Sequence, residues 1–333
     1  MVKISVVIPV KNSGKTLEEC ILAVRAGTFQ DYEIIVVDDL SSDNSIDIAR
    51  KHGCTVVKSH SPHGVSAARN TGAAAAAAGA EIILFIDADI LIEKDSLDKI
   101  MKIYNEKNVD AVVGVQSEFL RYTNFLSQFK NLWMRYTYLS QPDYVSLFYT
   151  SMASIKKDIF LAMGGFDENY RMPNVEDTDF GQKLAMKGVK ILLARELAVE
   201  HLKGYNFWSI LKTDYYRARG LIKMTMRRGA AMFSGGNKTS VPNTYIMQVI
   251  FFMLFLFLFL SFALTGEKMF LLAGLFFFLV IFVANISFLN FLKKKKGAAF
   301  AMAGFFFIVS DNLAVAAGLI TGFVSYLFGS RYY

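Results

Sequence analysis

Residues 244–264 and 269–292 are apolar runs without a charged side chain, each long enough to cross a hydrocarbon core of about 30 Å at about 1.5 Å per helical residue. Only Thr265, Gly266, Glu267 and Lys268 separate them, so a tight hairpin is expected. Residues 298–328 form a third apolar stretch, interrupted by Ser310, Asp311 and Asn312. It reads either as one long tilted span or as an interfacial segment plus a span, with Asp311 facing protein or water. Three crossings would leave the C-terminus outside. Lys293 to Lys296 follow the second run directly, and the positive-inside rule places them with Arg227 and Arg228 on the cytoplasmic side.

The apolar excess is confined to that part. Up to about Tyr205 the chain mixes charged and apolar residues as a soluble domain does, and it is long enough for one sizeable core. The organisation expected is a cytosolic domain over residues 1–205, a basic amphipathic segment over 206–242, and a membrane region over 243–333. The net charge of +7 gathers around the apolar part, which points to a membrane surface. No aromatic-and-basic motif for nucleic acid is present. Cys20 and Cys54 lack metal-ligand spacing and read as reduced core thiols. The N-terminus enters a strand at once, without the apolar core of a signal peptide.

From Lys3 the chain alternates strands (4–10, 33–37, 55–58, 82–86) with helices (16–26, a segment capped by Ser41, Ser42 and Asp43 and ending at Arg50, and the alanine-rich 65–78). That alternation implies an α/β domain with a parallel sheet and right-handed crossovers. Ligands of such sheets collect at the carboxyl ends of the strands. Three of those ends carry polar clusters: Lys11 with Asn12, Asp38 with Asp39, and Asp87 with Asp89. Asp87 and Asp89 read either as a solvated turn or as hard oxygen ligands for Mg²⁺ or Mn²⁺ on a diphosphate. Asp39 then suits a base or ribose, while Asp38 reads equally as a cap for the following helix.

Further on, residues 110–114, 147–155 and 191–199 read as strands and 156–163 as a helix stopped by Gly164 and Gly165. Glu176, Asp177 and Asp179 open an amphipathic helix through Lys187. There they favour the helix dipole, and one of them could equally be a general base facing a sugar carbon. His201 ends the 191–199 strand and could complete a metal site, although a lone histidine is more often a packing residue. His52, His60 and His63 show no partner spacing and read as surface residues. The aromatic and basic residues of 119–144 suit either a helix pair covering the domain or a loop at a bilayer that admits a lipid-borne acceptor. Residues 207–228 place Phe207, Leu211, Tyr215, Ala218 and Ile222 at helical spacing among basic residues, which reads as an interfacial helix. Arg217 and Arg219 there are candidate phosphate ligands. Residues 234–237, Ser-Gly-Gly-Asn, are expected to break that helix.

Six motifs in order resemble the family 2 glycosyltransferases, inverting enzymes of the GT-A nucleotide-sugar-binding fold. They are Val6-Val7-Ile8-Pro9-Val10-Lys11-Asn12, Val36-Val37-Asp38-Asp39 with Ser41-Ser42-Asp43, Ala67-Ala68-Arg69-Asn70-Thr71-Gly72, Phe85-Ile86-Asp87-Ala88-Asp89, Gly164-Gly165-Phe166-Asp167-Glu168 and Glu176-Asp177-Thr178-Asp179-Phe180. The resemblance implies a Rossmann-like GT-A domain followed by an interfacial helix and an all-α transmembrane region. It implies that Asp177 is the catalytic base, that Asp87 and Asp89 are the metal motif with His201 beside them, and that Pro9, Lys11, Asp38, Asp39, Arg69, Asp87, Ala88 and Glu176 contact the donor.

The activity expected is transfer of one sugar, with inversion, from a nucleotide-diphosphate sugar to a membrane-presented acceptor such as a polyprenyl-linked saccharide or glycolipid precursor. The Gln-x-x-Arg-Trp motif of processive members is absent from the sequence. Direct charging of polyprenyl phosphate is the alternative within the class; a silent membrane scaffold or sugar-nucleotide sensor is the alternative outside it. A nucleotidyl-transfer enzyme would call for an N-terminal glycine-rich phosphate loop, which the sequence lacks. Hairpins of this kind also pack against copies of themselves, so a homo-oligomer fits.

Overall fold

The strand β1 (Ile4–Val10) is buried along nearly its whole length, as a strand covered on both faces must be. It pairs in parallel with β2 (Tyr32–Asp38) and β4 (Ile82–Phe85), and β2 pairs in parallel with β3 (Thr55–Lys58). The crossovers are α1 (Leu17–Arg25), α2 (Ser45–Lys51) and α3 (Val65–Ala75). A computed structural model describes residues 2–229 and 243–332, and the chain divides into two units, Met1–Tyr122 with Tyr138–Gly204 and Thr123–Thr137 with Tyr205–Tyr333.

The parallel expectation holds for only half of the first unit's sheet. β8 (Ala153–Lys156) runs antiparallel to β4 and to β6 (Ala111–Gln116). Next comes β9 (Ile191–His201), parallel to β6, with β5 (Ile90–Ile92) and β7 (Tyr144–Val145) antiparallel to it. The nine strands are ordered β3-β2-β1-β4-β8-β6-β9-β5, with β7 on β9. Direction leaves no trace in hydrophobic periodicity, so a sequence reading inherits it from the strand-helix alternation. Residues 147–152 are likewise not strand, because the apolar run there packs as an irregular segment before β8.

Direction decides which residues reach the site. In antiparallel register Phe85 faces Ala153, so the chain arriving at β8 brings Ser151 to the carboxyl end of β4. Ile90 faces His201 across β5 and β9, which sets His201 beside Asp89. The helices α4 (Ser96–Glu106), α6 (Lys157–Ala162) and α7 (Glu176–Met186) complete this unit. Under the site Phe85, Phe160, Phe166 and Phe180 interlock, with ring centroids 4.5 Å apart for Phe166 and Phe180 and 5.2 Å for Phe85 and Phe160. Those edge and tilted contacts clamp α7 to the end of β4.

The second unit is helical: α5 (Phe125–Leu139), most of which belongs to it, α8 (Phe207–Arg228), α9 (Asn243–Thr265), α10 (Lys268–Lys296) and α11 (Ala298–Leu327). Residues 119–144 therefore hold one helix, not a pair. α8 starts with a capping box in which Asn206 and Ser209 satisfy each other's backbone N–H. The Ser-Gly-Gly-Asn stop at 234–237 lies outside the described residues. Gly266, at φ +74, turns the α9–α10 hairpin, and Gly297, at φ +91, turns α10 into α11. Three helical segments, Met247–Thr265, Lys268–Lys296 and Ala298–Leu327, are long and apolar enough to cross a membrane. The third is one unbroken helix, and its Asp311 and Asn312 are buried against protein.

Candidate active site

The N-terminal half of the site is built on β1 and β2. Asp39 is buried and accepts from the Gly64 backbone N–H at 2.7 Å, with the Lys11 ammonium 3.6 Å away. Gly64 sits at φ +107, and a Cβ there would lie 2.4 Å from the Arg171 carbonyl oxygen; only glycine lets this backbone close over Asp39. Asp38 accepts from the Ser41 N–H at 2.8 Å and holds the turn. Of the three residues expected to cap α2, Asp43 accepts from the Ser45 and Gly14 N–H groups, while the N-cap position itself is Asn44, whose side chain makes no cap hydrogen bond. Pro9 pairs with Val37 in the sheet, and Ala88 is buried between the two motif aspartates.

The other half centres on Arg69. Its guanidinium donates to Asp87 Oδ1 at 3.0 Å and to Glu176 Oε1 at 2.8 Å, and lies over the Phe166 ring. Burial works against its charge, but Asp87 and Glu176 outweigh that and raise its pKa. α3 is the element that aims it. Gly72, one turn on, lets α3 settle on the sheet, since a Cβ there would meet Val7 Cγ1 at 2.3 Å. The neighbouring Asn70 exchanges hydrogen bonds with the backbone of Phe166 and donates to Glu168 at 2.8 Å. Gly165, at φ +65, leaves room for the Asn70 amide. The two motifs containing Arg69 and Phe166 are thus one interlocked corner.

Ser151 donates to Asp87 Oδ2 at 3.3 Å, and His201 Nε2 meets Asp89 Oδ2 at 3.0 Å. Burial pushes the Asp87 carboxyl up, with Asp89 adding to it and Arg69 opposing. For Asp89 burial acts the same way, yet the His201 hydrogen bond and nearby Lys203 leave it below the usual carboxylate range. A carboxylate held up by desolvation and a like charge is one that a cation relieves, and two carboxylates with an imidazole suit Mn²⁺ or Mg²⁺. The residues fit such a metal. Among the described residues no three His, Cys, Asp or Glu side chains converge on one point: Asp89 and His201 pair, while Asp87 turns to Arg69 and Ser151.

Asp177 is half-buried in the first turn of α7, its Oδ1 accepting from the Thr178 backbone at 2.6 Å. Its charge reaches Arg69. Glu176 beside it is buried, accepting from Arg69 and from the Asn174 N–H at 2.7 Å. Arg217 and Arg219 belong to α8 of the second unit, where Arg217 lines a small cavity with Lys130, Asp214 and Asp311. Two of the three histidines read as surface residues have carboxylate partners, His52 with Glu18 and His60 with Glu168, each at 2.8 Å, and the third, His63, is half-buried. The separations, 34 and 108 residues, are the reason spacing did not reveal them. Ser151 and Gly64 also went unseen, for neither residue type marks chemistry without its neighbours.

Residues 5–164 match the family described as Glycosyl transferase family 2. The chain carries a family 2 glycosyltransferase domain. It is 34% identical over 116 residues to Glycosyltransferase GlyG of Streptococcus pneumoniae, covering 33% of this chain and 38% of GlyG. With the O-antigen chain rhamnosyltransferase WbaN of Salmonella anatum it shares 26% identity over 225 residues, 62% of this chain and 68% of WbaN. Matches to relatives such as GlyG thus span well under half of their length. The mannosyltransferase PcManGT of Pyrobaculum calidifontis, solved with GDP-Man and Mn²⁺, has a similar fold, with a TM-score of 0.60 at 17% identity over 97% of this chain and 87% of that one. The glycosyltransferase domain has the GT-A architecture, and three long apolar helical segments follow it.

Proposed function

We propose that this family 2 glycosyltransferase transfers one sugar, with inversion, from a nucleotide-diphosphate sugar to an acceptor presented at the membrane, such as a polyprenyl-linked saccharide or glycolipid precursor, with its catalytic domain on the cytoplasmic side. The observation that carries the reading is the alignment of Asp39, Asp87 with Asp89, and the Arg69–Glu176 pair along the strand ends of one sheet. Asp39, with Lys11 beside it, is suited to the base or ribose. Asp87, Asp89 and His201 would hold Mn²⁺ or Mg²⁺, which when bound neutralises charge on the donor's diphosphate. Arg69 fixes Asp87 and Glu176 against each other and keeps the first turn of α7 in place.

Asp177 takes the acceptor hydroxyl proton as the bond to the diphosphate breaks, the step that inversion requires of a base on the opposite face. Its half-exposed position lets it reach an incoming hydroxyl, whereas buried Glu176 is committed to Arg69. PcManGT's complex with GDP-Man and Mn²⁺ and the glycosyl-transfer names of GlyG and WbaN support the same chemistry. The deciding experiment is a thermal-shift screen of purified protein against nucleoside diphosphates and sugar nucleotides, with and without Mn²⁺, beside Asp87→Ala. A Mn²⁺-dependent rise with one nucleotide, lost in the variant, identifies the donor base. A well-folded protein that answers to no nucleotide returns the scaffold reading.

A further inference from the structure

In the second unit α8 and α11 run side by side and in the same direction. Phe207 packs on Phe307, Gly318 meets the Tyr215 carbonyl, Gly322 meets the Arg219 backbone, Lys223 donates to Ser330 and Arg227 stacks on Tyr332. Gly318 and Gly322 are the reason the approach is close: a Cβ at either would fall 2.3 Å and 2.5 Å from α8 atoms. Whatever path α11 takes relative to the bilayer, α8 shares it over its whole length.

We propose that α8 and α11 lie together in the plane of the membrane interface, docked on the lipid headgroup layer, and that α9 and α10 alone make the crossing. The inference rests on the membrane reading of the apolar helices. Chain direction excludes the alternative. If α8 crossed, α9 would begin on the far side and return, α10 would cross outward again, and α11 would enter from the far side, antiparallel to α8. The pair is parallel, and residues 230–242 are too short and too polar to recross. α8 also carries Lys212, Arg217, Arg219, Lys223, Arg227 and Arg228, a load that is costly and rare in a membrane span.

Packing and charge agree. Among the described residues α11 meets the hairpin through its first two thirds: Leu292 with Gly304, Phe278 and Phe282 at mid-α10 with Phe305, and Val249 near the α9 start in one cluster with Val315. Beyond Val315 its partner is α8, while the hairpin's far residues, among them Leu260, Leu264, Met269 and Leu272, are exposed. Lys293–Lys296 precede α11 and Arg227 sits at its other end, about 45 Å away at about 1.5 Å per residue. The positive-inside rule can place both clusters on one side only if α11 lies flat. On the outer faces α11 shows Leu313, Ile320, Val324 and Leu327, and α8 shows Trp208, Lys212 and Tyr216 one turn apart. Apolar surface beside aromatic and basic residues is what a headgroup layer with anionic lipid accepts.

The test labels single cysteines, Glu267→Cys in the hairpin turn and Arg331→Cys beyond α11, in a Cys20→Ser, Cys54→Ser background with a membrane-impermeant maleimide. Both positions are exposed, so folding is not at risk from them, and unlabelled protein is compared before and after permeabilisation. The result expected is that the two cysteines label from opposite sides, Glu267→Cys in intact cells and Arg331→Cys only after permeabilisation. Labelling of both from the same side means α11 crosses and overturns the proposal. Release of the wild type from membranes by alkaline carbonate overturns the membrane reading itself, and is scored separately.

Discussion

Arg69 bridges Asp87 and Glu176, its two terminal nitrogens 3.0 and 2.8 Å from the respective carboxylates. The three come from α3, the end of β4 and the start of α7, so one guanidinium joins the Asp87-Ala88-Asp89 turn, the proposed metal site, to the helix that carries the proposed base. Arg69 and Glu176 are almost wholly enclosed, with side chains 3% and 4% exposed.

Removing one partner of a buried pair leaves the other uncompensated, which costs about 3–5 kcal/mol. Arg69→Met is expected to lose that much in urea unfolding of the detergent-purified protein. Adding Glu176→Gln should return part of it, since the stranded charge is then gone. Independent, additive losses would show that the bridge is not the source.

Asp177→Asn keeps the size and an oxygen for the Thr178 N–H but cannot accept a proton. The transfer rate should fall about 10²–10⁴-fold while the Mn²⁺-dependent nucleotide shift in melting temperature survives. A variant that loses nucleotide binding as well would reassign Asp177 to the donor site.

Chelation of divalent metal should abolish the nucleotide shift, and Mn²⁺ should restore it. His201→Ala removes the imidazole 3.0 Å from Asp89. The Mn²⁺ concentration giving half-maximal activity should rise by about 10–100-fold, and an unchanged value would leave His201 as a packing residue.

Lys223 is fully buried on α8, and burial together with Arg219 and Arg227 pulls its pKa down to about 8. An unfolded lysine titrates near about 10.4. Between those values the unfolded chain holds the extra proton, so stability rises with pH across that window and the penalty is fully present below it. Melting temperatures at the two ends of the window should differ in the wild type by more than in Lys223→Met, and the variant should gain at neutral pH.

Gly72→Ala would drive a methyl to 2.3 Å from Val7 and 2.9 Å from Val37. Overpacking of this kind costs about 1–3 kcal/mol, and because α3 aims Arg69 the transfer rate should drop with it. The same substitution at Gly274, where a Cβ would meet only ordinary contacts at 3.7–3.8 Å, is the control for packing.

The strand ends of the first unit were legible because buried parallel strands are continuous apolar runs that stop at polar residues, as at Lys11, Asp39 and Asp87. The helix from Phe207 to Arg228 was legible from its periodicity, whereas its Asn206 capping box was found only in the structure. The membrane-length runs were legible from length and composition alone. What the chain order could not carry is direction and distance. The antiparallel entry of β8 brought Ser151 to Asp87, and the β5–β9 register brought His201 to Asp89. Asn70, His60 and Glu168 met across about a hundred residues. Side chains on one strand or helix are set by periods of two and 3.6, which sequence displays. Side chains from different elements are set by register, crossover and the closeness that glycines such as Gly64, Gly72 and Gly318 permit, and these exist only once the chain has packed.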